Sequence, residues 1–131
     1  MEYKSLDEIR QVAEVVPVAS PKLLRRERLE RWATLLLRDP NRWLTPLMRI
    51  EYLPEAERLA ARNDNSPLTV AFQDPVLRDN GLAGDRIGDG ANFFELSSQQ
   101  AHYLLCDCHY DGMMSAARVA ERIRRVAEIE R

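Results

Sequence analysis

The histidines and cysteines of this chain are confined to one short stretch near its C-terminal end. The run His102-Tyr-Leu-Leu-Cys106-Asp-Cys108-His109 holds both cysteines and both histidines of the 131 residues. If this run is helical, His102, Cys106 and His109 fall at i, i+4 and i+7 and project from one face. Imidazole and thiolate are ligands that zinc prefers. The spacing therefore predicts a zinc site whose fourth ligand comes from another segment or from water.

Two other interpretations of this run remain open. The cysteines can be small apolar fillers, with the histidines at the border of the helix and one hydrogen bond each. Alternatively, a thiol close to a histidine can be activated, which predicts a redox sensor or a thiol-based enzyme centred on Cys106. Structural zinc sites usually use two separated ligand pairs, and this sequence has no second pair. The spacing alone therefore does not choose between metal, thiol and packing roles.

The composition is that of one ordinary globular domain. Hydrophobic residues make up 45% and charged residues 31%, and the formal net charge is −2. So small a net charge provides no overall field to attract nucleic acid or a membrane surface. No apolar run reaches the roughly 18 residues of a membrane helix, and the first residues do not resemble a secretory signal. We therefore expect a cytoplasmic protein with reduced thiols.

Two helices are predicted in the first third of the chain. Ser5-Leu-Asp-Glu8 reads as a capping box, and Pro17 stops the helix that follows. Ser20-Pro21 predicts the start of a second helix that extends to Arg38. Apolar residues recur at helical spacing along both, namely Leu6, Ile9, Ala13 and Val16 in the first and Leu29, Trp32, Ala33 and Leu36 in the second.

The second predicted helix also carries an unusual number of basic residues. One turn before Leu29, a perfect apolar stripe would place an apolar residue where Arg25 stands. A basic strip can bind an acidic protein or a phosphate backbone, and it can equally be the solvated face of an amphipathic helix. We take Arg25, Arg28 and Arg31, together with Trp43 beyond the helix, as the predicted partner-binding residues. The strip is Lys22, Arg25, Arg26, Arg28, Arg31 and Arg38, offset by Glu27 and Glu30.

The middle of the chain is harder to interpret. Ser66-Pro67 and Asp74-Pro75 both resemble a cap followed by a first-turn proline, which predicts two short helices. Residues 68–72 could instead form a strand, but no second strand is evident to pair with it. Four glycines within ten residues predict a Gly-rich loop at about 79–92. This loop lacks the pattern of a phosphate-binding or calcium-binding loop.

The last third predicts two helices joined by a turn. A capping box formed by Ser97 and Gln100 opens the first, which we expect to run to about Tyr110. Met114-Ser115 opens the last helix. Together they predict an antiparallel hairpin that packs against the first and second helices. The last helix has the clearest apolar stripe, formed by Ala116, Val119, Ala120, Ile123, Val126 and Ala127.

These patterns predict an all-α protein, in which residues 1–131 form a compact single-domain bundle of five to seven helices ending in a helical hairpin. The function expected is that of a non-enzymatic small helical protein acting through protein–protein interaction, as a regulator or assembly partner, with another protein or by self-association. One alternative is a metal-binding or thiol-based sensor or enzyme centred on His102, Cys106 and His109. Another is nucleic-acid binding through the basic second helix or the last helix.

Overall fold

The computed structural model describes residues 22–47, 53–57, 65–106, 110 and 114–129. This part of the chain is helical and contains no strand, which confirms the all-α prediction. The predicted first helix lies outside the described residues, as does most of the connection that would close the C-terminal hairpin. The helices with bounds in the described part are α1 (Arg25–Leu36), α2 (Pro67–Phe72), α3 (Pro75–Asp79), α4 (Ile87–Phe93), α5 (Ser98–Leu105) and α6 (Ala116–Glu128).

The centre of the fold is the antiparallel pair formed by α1 and α6. Glu30 in the middle of α1 accepts a hydrogen bond from Arg124 near the end of α6 (3.2 Å). Pro40, beyond the end of α1, accepts one from the amide of Ala117 at the start of α6 (3.0 Å). The predicted apolar stripes of both helices are buried, which confirms both predictions. Burying such stripes, rather than intrinsic propensity, stabilises helices of this length.

Helix α1 is shorter than predicted at both ends. It begins at Arg25 instead of near Pro21, because the preceding backbone is engaged in other hydrogen bonds. The Leu24 amide donates to Glu27 Oε1 (2.8 Å), and the Leu23 amide donates to Asn80 Oδ1 (2.8 Å). Leu24 is accordingly extended, with φ −77° and ψ 164°. The N-terminal boundary is therefore set by a glutamate three residues into the helix and by a distant asparagine.

The two short helices α2 and α3 begin at the predicted caps. Ser66 Oγ accepts a hydrogen bond from the Thr69 amide (3.0 Å), and Asp74 Oδ2 accepts one from the Leu77 amide (3.1 Å). Each cap is followed by a proline, whose missing amide hydrogen costs nothing in the first turn. The helical interpretation of this segment is confirmed and the strand interpretation is wrong.

A cluster of aromatic rings joins α1 to α2 and α4. The Trp32 ring stacks on Phe94, with ring centroids 4.4 Å apart and an interplanar angle of 13°. Phe93 meets Phe94 edge-on, with centroids 4.9 Å apart. The indole nitrogen of Trp32 donates to the Pro67 carbonyl (2.9 Å), so this fully buried ring leaves no polar atom unpaired.

The glycine-rich segment is a loop only from residue 80 to residue 86, and the predicted loop at about 79–92 is wrong beyond that point. Helix α4 occupies residues 87–93 and contains Gly88 and Gly90. Gly90 is buried, and a Cβ atom built on it would lie 2.6 Å from the side chain of Leu68 in α2. Glycine at this position therefore lets α4 and α2 pack closely, and a larger residue would force Leu68 to shift. Gly81, with φ +117°, does serve a turn, directly after α3.

Two alanine substitutions in α4 test whether Gly90 contributes to stability through the close packing of α4 against α2. We expect Gly90→Ala to lower the free energy of unfolding by about 1–3 kcal/mol, because the fully buried side chain of Leu68 must shift to admit the added methyl group. Gly88→Ala is the matched control, since its Cβ would have nothing within 4 Å. That variant should be neutral or stabilising by up to about 1 kcal/mol. Equilibrium denaturant unfolding measures both; equal effects would contradict the packing role of Gly90.

Candidate functional site

Arg25 lies half-buried against the C-terminal end of α4. Its Nε donates to the carbonyls of Phe94 (3.1 Å) and Glu95 (3.2 Å). Glu95 has a positive φ of 54°, and the Leu96 amide donates to the Ala91 carbonyl (2.8 Å), which is the pattern of a Schellman turn. Phe94 and Glu95 directly follow α4, so the guanidinium of Arg25 binds two carbonyls of the turn that closes this helix.

Arg28 binds the same helix end one turn further along α1. Its Nη1 donates to the Phe93 carbonyl (2.8 Å), and its guanidinium carbon lies 4.4 Å from the centroid of the Phe93 ring. The Nε of Arg28 is buried and finds no acceptor in the described part of the chain. A cation over an aromatic face is attracted by the ring quadrupole, so Arg28 holds Phe93 through both its backbone and its ring.

Arg31 forms a bidentate ion pair with Asp74, the N-cap residue of α3. Its Nε and Nη2 donate to the two carboxylate oxygens of Asp74, at 2.6 and 2.9 Å. Asp74 is only 7% exposed and also accepts from the Leu77 amide. The hydrogen bonds from Arg31 hold the pKa of Asp74 below its ordinary value, although burial acts in the opposite direction. We call Arg25, Arg28 and Arg31 the arginine row.

All three residues of the arginine row therefore bond to other parts of this chain. Their assignment as partner-binding residues stays a prediction, because contact with a partner is not tested by these bonds. Sequence reasoning missed their internal role, although one signal was present. Arg25 occupies a position of the apolar stripe where an apolar residue was expected, and a cation at such a position needs a partner inside the fold.

The arginines of α6, which the nucleic-acid hypothesis also invokes, are engaged as well. Arg122 lies between two tyrosines, 4.6 Å from the ring centroid of Tyr103 and 3.9 Å from that of Tyr110. Burial raises the pKa of the Tyr110 hydroxyl, which donates to the Leu104 carbonyl (2.8 Å) at the end of α5. Arg125 pairs with Glu121 on the solvent side (3.0 Å).

The structure does not extend a helix through the proposed metal ligands. Helix α5 ends at Leu105, and Cys106 is extended, with φ −104° and ψ 131°. The prediction that this helix runs to Tyr110 is therefore wrong, and so is the i, i+4, i+7 geometry that it gave to His102, Cys106 and His109. His109 lies outside the described residues. Zinc binding or thiol chemistry at these residues stays a prediction; the described residues contain no cluster of three or more His, Cys, Asp or Glu able to hold a metal.

Trp43 lies at the end of the α1–α6 pair where α6 begins. Its backbone forms an isolated antiparallel bridge with Ser115, flanked by hydrogen bonds from Leu44 to Met114 (2.8 Å) and from Ala116 to Arg42 (2.9 Å). Trp43 as a residue is 54% exposed. The predicted partner-binding tryptophan is therefore an exposed ring on a fixed segment of backbone.

An apolar groove lies at the opposite end of the same helix pair. It has a volume of about 320 Å³ and runs between α5 and the end of α6, with an almost wholly apolar surface. Its lining includes Tyr103, Val126 and Ile129, with Arg125 at its edge. A second cavity of about 210 Å³, lined by Arg25 and Glu95 among others, shares Gln100 and Ile129 with it. Leu24 and Ile129, at 69% and 58% exposed, flank this end of the molecule.

Comparison with known proteins yields no match to this chain among protein-family models, curated proteins or solved structures. In the described part, every helix is too short or too polar to cross a membrane.

The Arg31–Asp74 pair predicts a pH-dependent contribution to stability. Because the folded-state pKa of Asp74 is depressed, its contribution is fully present above the ordinary pKa of 3.8 and is lost as the pH falls through the lower folded value. We expect Asp74→Asn, which keeps the helix cap, to lower the free energy of unfolding by about 1–2 kcal/mol at pH 7. Its difference from the native protein should shrink below pH 3.8.

Denaturant unfolding at a series of pH values measures this difference. Asp39→Asn is the control, because Asp39 is an exposed carboxylate just beyond the end of α1. If the free energy of unfolding of Asp74→Asn stays below that of the native protein by the same amount down to the lowest pH, the ion-pair explanation is contradicted.

Proposed function

We propose that this protein is a non-enzymatic helical interaction protein that binds another protein through a surface centred on Trp43. The observation that carries the proposal is that Trp43 is exposed to solvent although the backbone around it is held by hydrogen bonds. Trp43 is more than half exposed, whereas its own carbonyl and the backbone of Arg42 and Leu44 on either side of it are hydrogen-bonded to two separate parts of the chain. Large exposed aromatic residues are the side chains most often found as anchors of protein interfaces.

The backbone of Trp43 is fixed from two sides. On one side lies the segment before α6, through the bridge to Ser115 and its flanking hydrogen bonds. On the other side lies Asn65. Its side-chain amide donates to the Trp43 carbonyl, and its backbone carbonyl accepts from the Thr45 amide (2.9 Å). A side chain presented from fixed backbone loses little further conformational freedom when a partner binds.

The arginine row supports a protein partner rather than nucleic acid. Sequence-independent binding of nucleic acid depends on basic side chains that can reach phosphates. Here Arg25, Arg28 and Arg31 direct their donors to carbonyls and a carboxylate of the same chain. An interface at Trp43 requires none of them.

Affinity capture with matched variants tests the proposal. Native protein, Trp43→Ala and Leu24→Ala are each immobilised and exposed to lysate of the cell that makes the protein. We expect a set of proteins that the native chain and Leu24→Ala retain and that Trp43→Ala loses. Leu24 is a suitable control because it is a large exposed apolar residue at the opposite end of the helix pair. Trp43→Phe should keep most of the binding.

Two results would overturn this proposal. One is retention of the same proteins by Trp43→Ala, provided that its thermal unfolding matches that of the native protein. The other is a native chain that retains nothing above a blank support. Sedimentation velocity on the same proteins detects self-association. A native protein that is dimeric, with a Trp43→Ala variant that is monomeric, would identify the partner as a second copy.

A further inference from the structure

A cavity of about 250 Å³ lies beside the segment that carries Trp43, between the end of α1 and the connection from α2 to α3. Its lining is part apolar, from residues such as Leu35 and Val70, and part charged, with Arg38 and Arg42 among the charged residues. We call it the Arg38 cavity. Arg42 directly precedes Trp43, and consecutive Cα atoms are about 3.8 Å apart. The edge of the cavity therefore lies within one residue of the exposed tryptophan.

Asn65 holds both the edge of this cavity and the backbone of Trp43. Its side-chain oxygen accepts a hydrogen bond from Arg42 Nε, and its side-chain nitrogen donates to the Trp43 carbonyl. One amide side chain thus fixes the guanidinium of Arg42 and the backbone of Trp43 relative to each other. The cavity and the tryptophan therefore form one continuous part of the surface.

The Arg38 cavity has an excess of positive charge. Its charged lining consists of Arg38, Arg42, Asp39 and Asp74. The carboxylate of Asp74 is already neutralised by Arg31, which binds both of its oxygens from outside this lining. With Arg31 included, three guanidinium groups stand against two carboxylates, which leaves one positive charge without a negative counterpart.

Arg38 provides the donors that a ligand could use. It is exposed just beyond α1, and its guanidinium has no hydrogen-bond acceptor within the part of the chain that the structure describes. It lies close enough to Asp74 to contribute to the lowered pKa of that carboxyl, although the hydrogen bonds to Asp74 come from Arg31 and the Leu77 amide. A guanidinium presents five N–H donors in a plane, an arrangement that matches a carboxylate.

We propose that the Arg38 cavity receives an acidic side chain, Asp or Glu, of the protein that binds at Trp43. This inference rests on the proposed function, because it assigns the chemistry of the partner at the same surface. Arg38 binds the carboxylate, and the apolar part of the lining contacts the methylene groups that carry it. The partner therefore places an acidic residue close to the apolar residue that packs on Trp43.

Selection from a random-peptide library displayed on phage tests this inference. We expect the native protein to select peptides that combine an apolar residue with a nearby Asp or Glu, and Trp43→Ala to lose them. In calorimetric titration, replacing that acidic residue of a selected peptide by its amide should weaken binding to the native protein by about three- to fivefold. The same replacement should have no effect on binding to Arg38→Gln.

Arg26→Gln is the matched control, since Arg26 is an exposed arginine near the other end of α1. It should bind the selected peptide like the native protein and keep the full effect of the amide replacement. Arg38→Gln removes no hydrogen bond of the described fold, so its thermal unfolding should match that of the native protein.

Three results would overturn the inference. The first is a native protein that selects no peptide with an acidic residue. The second is an amide replacement that weakens binding to Arg38→Gln as much as binding to the native protein. The third is a set of peptides that depend on Trp43 without any preference for Asp or Glu. That third result would leave the proposed function intact, whereas acidic peptides that bind Trp43→Ala unchanged would count against the proposed function.

Discussion

The fold depends on the way the arginine row of α1 holds the ends of two helices that are too short to be stable alone. Helices α3 and α4 have five and seven residues, and α4 contains two glycines. Helices of this length are not stable in water without tertiary contacts. Arg31 binds the cap residue of α3, Arg28 binds the last carbonyl of α4, and Arg25 binds the two carbonyls that follow it. Helix α1 thus packs on α6 through one face. The arginine row on the adjacent side of α1 binds α3 and the end of α4.

The large exposed apolar side chains of the described residues lie at the two ends of the α1–α6 pair. Within the described residues, the large exposed apolar side chains are Leu24, Trp43 and Ile129. Trp43 lies at the end where α6 begins, and the other two lie at the end where α1 begins. The ends therefore differ in character: one presents a single ring on fixed backbone, the other a groove.

The local features of the fold could be predicted from the sequence, and the long-range ones could not. The apolar stripe of α6 and the caps at Ser66, Asp74 and Ser97 depend on residues a few positions apart, so their patterns are visible in the sequence. The role of Gly90 depends on Leu68 in another helix, and that of Arg28 on Phe93, 65 residues away. The end of α5 at Leu105 was likewise missed, because the backbone turns extended at Cys106 with no proline or glycine there to indicate it.

The most direct test of the arginine row is native-state hydrogen exchange at the amides of Phe94 and Leu96, which close the end of α4. The comparison is between Arg28→Met and Arg26→Met, because Arg26 is an exposed arginine on the same helix. Loss of a hydrogen bond from a charged group should accelerate exchange at these two amides by about tenfold or more in Arg28→Met. Arg26→Met should leave them at the native rate. Equal exchange in the two variants would contradict the claim that the arginine row orders this part of the fold.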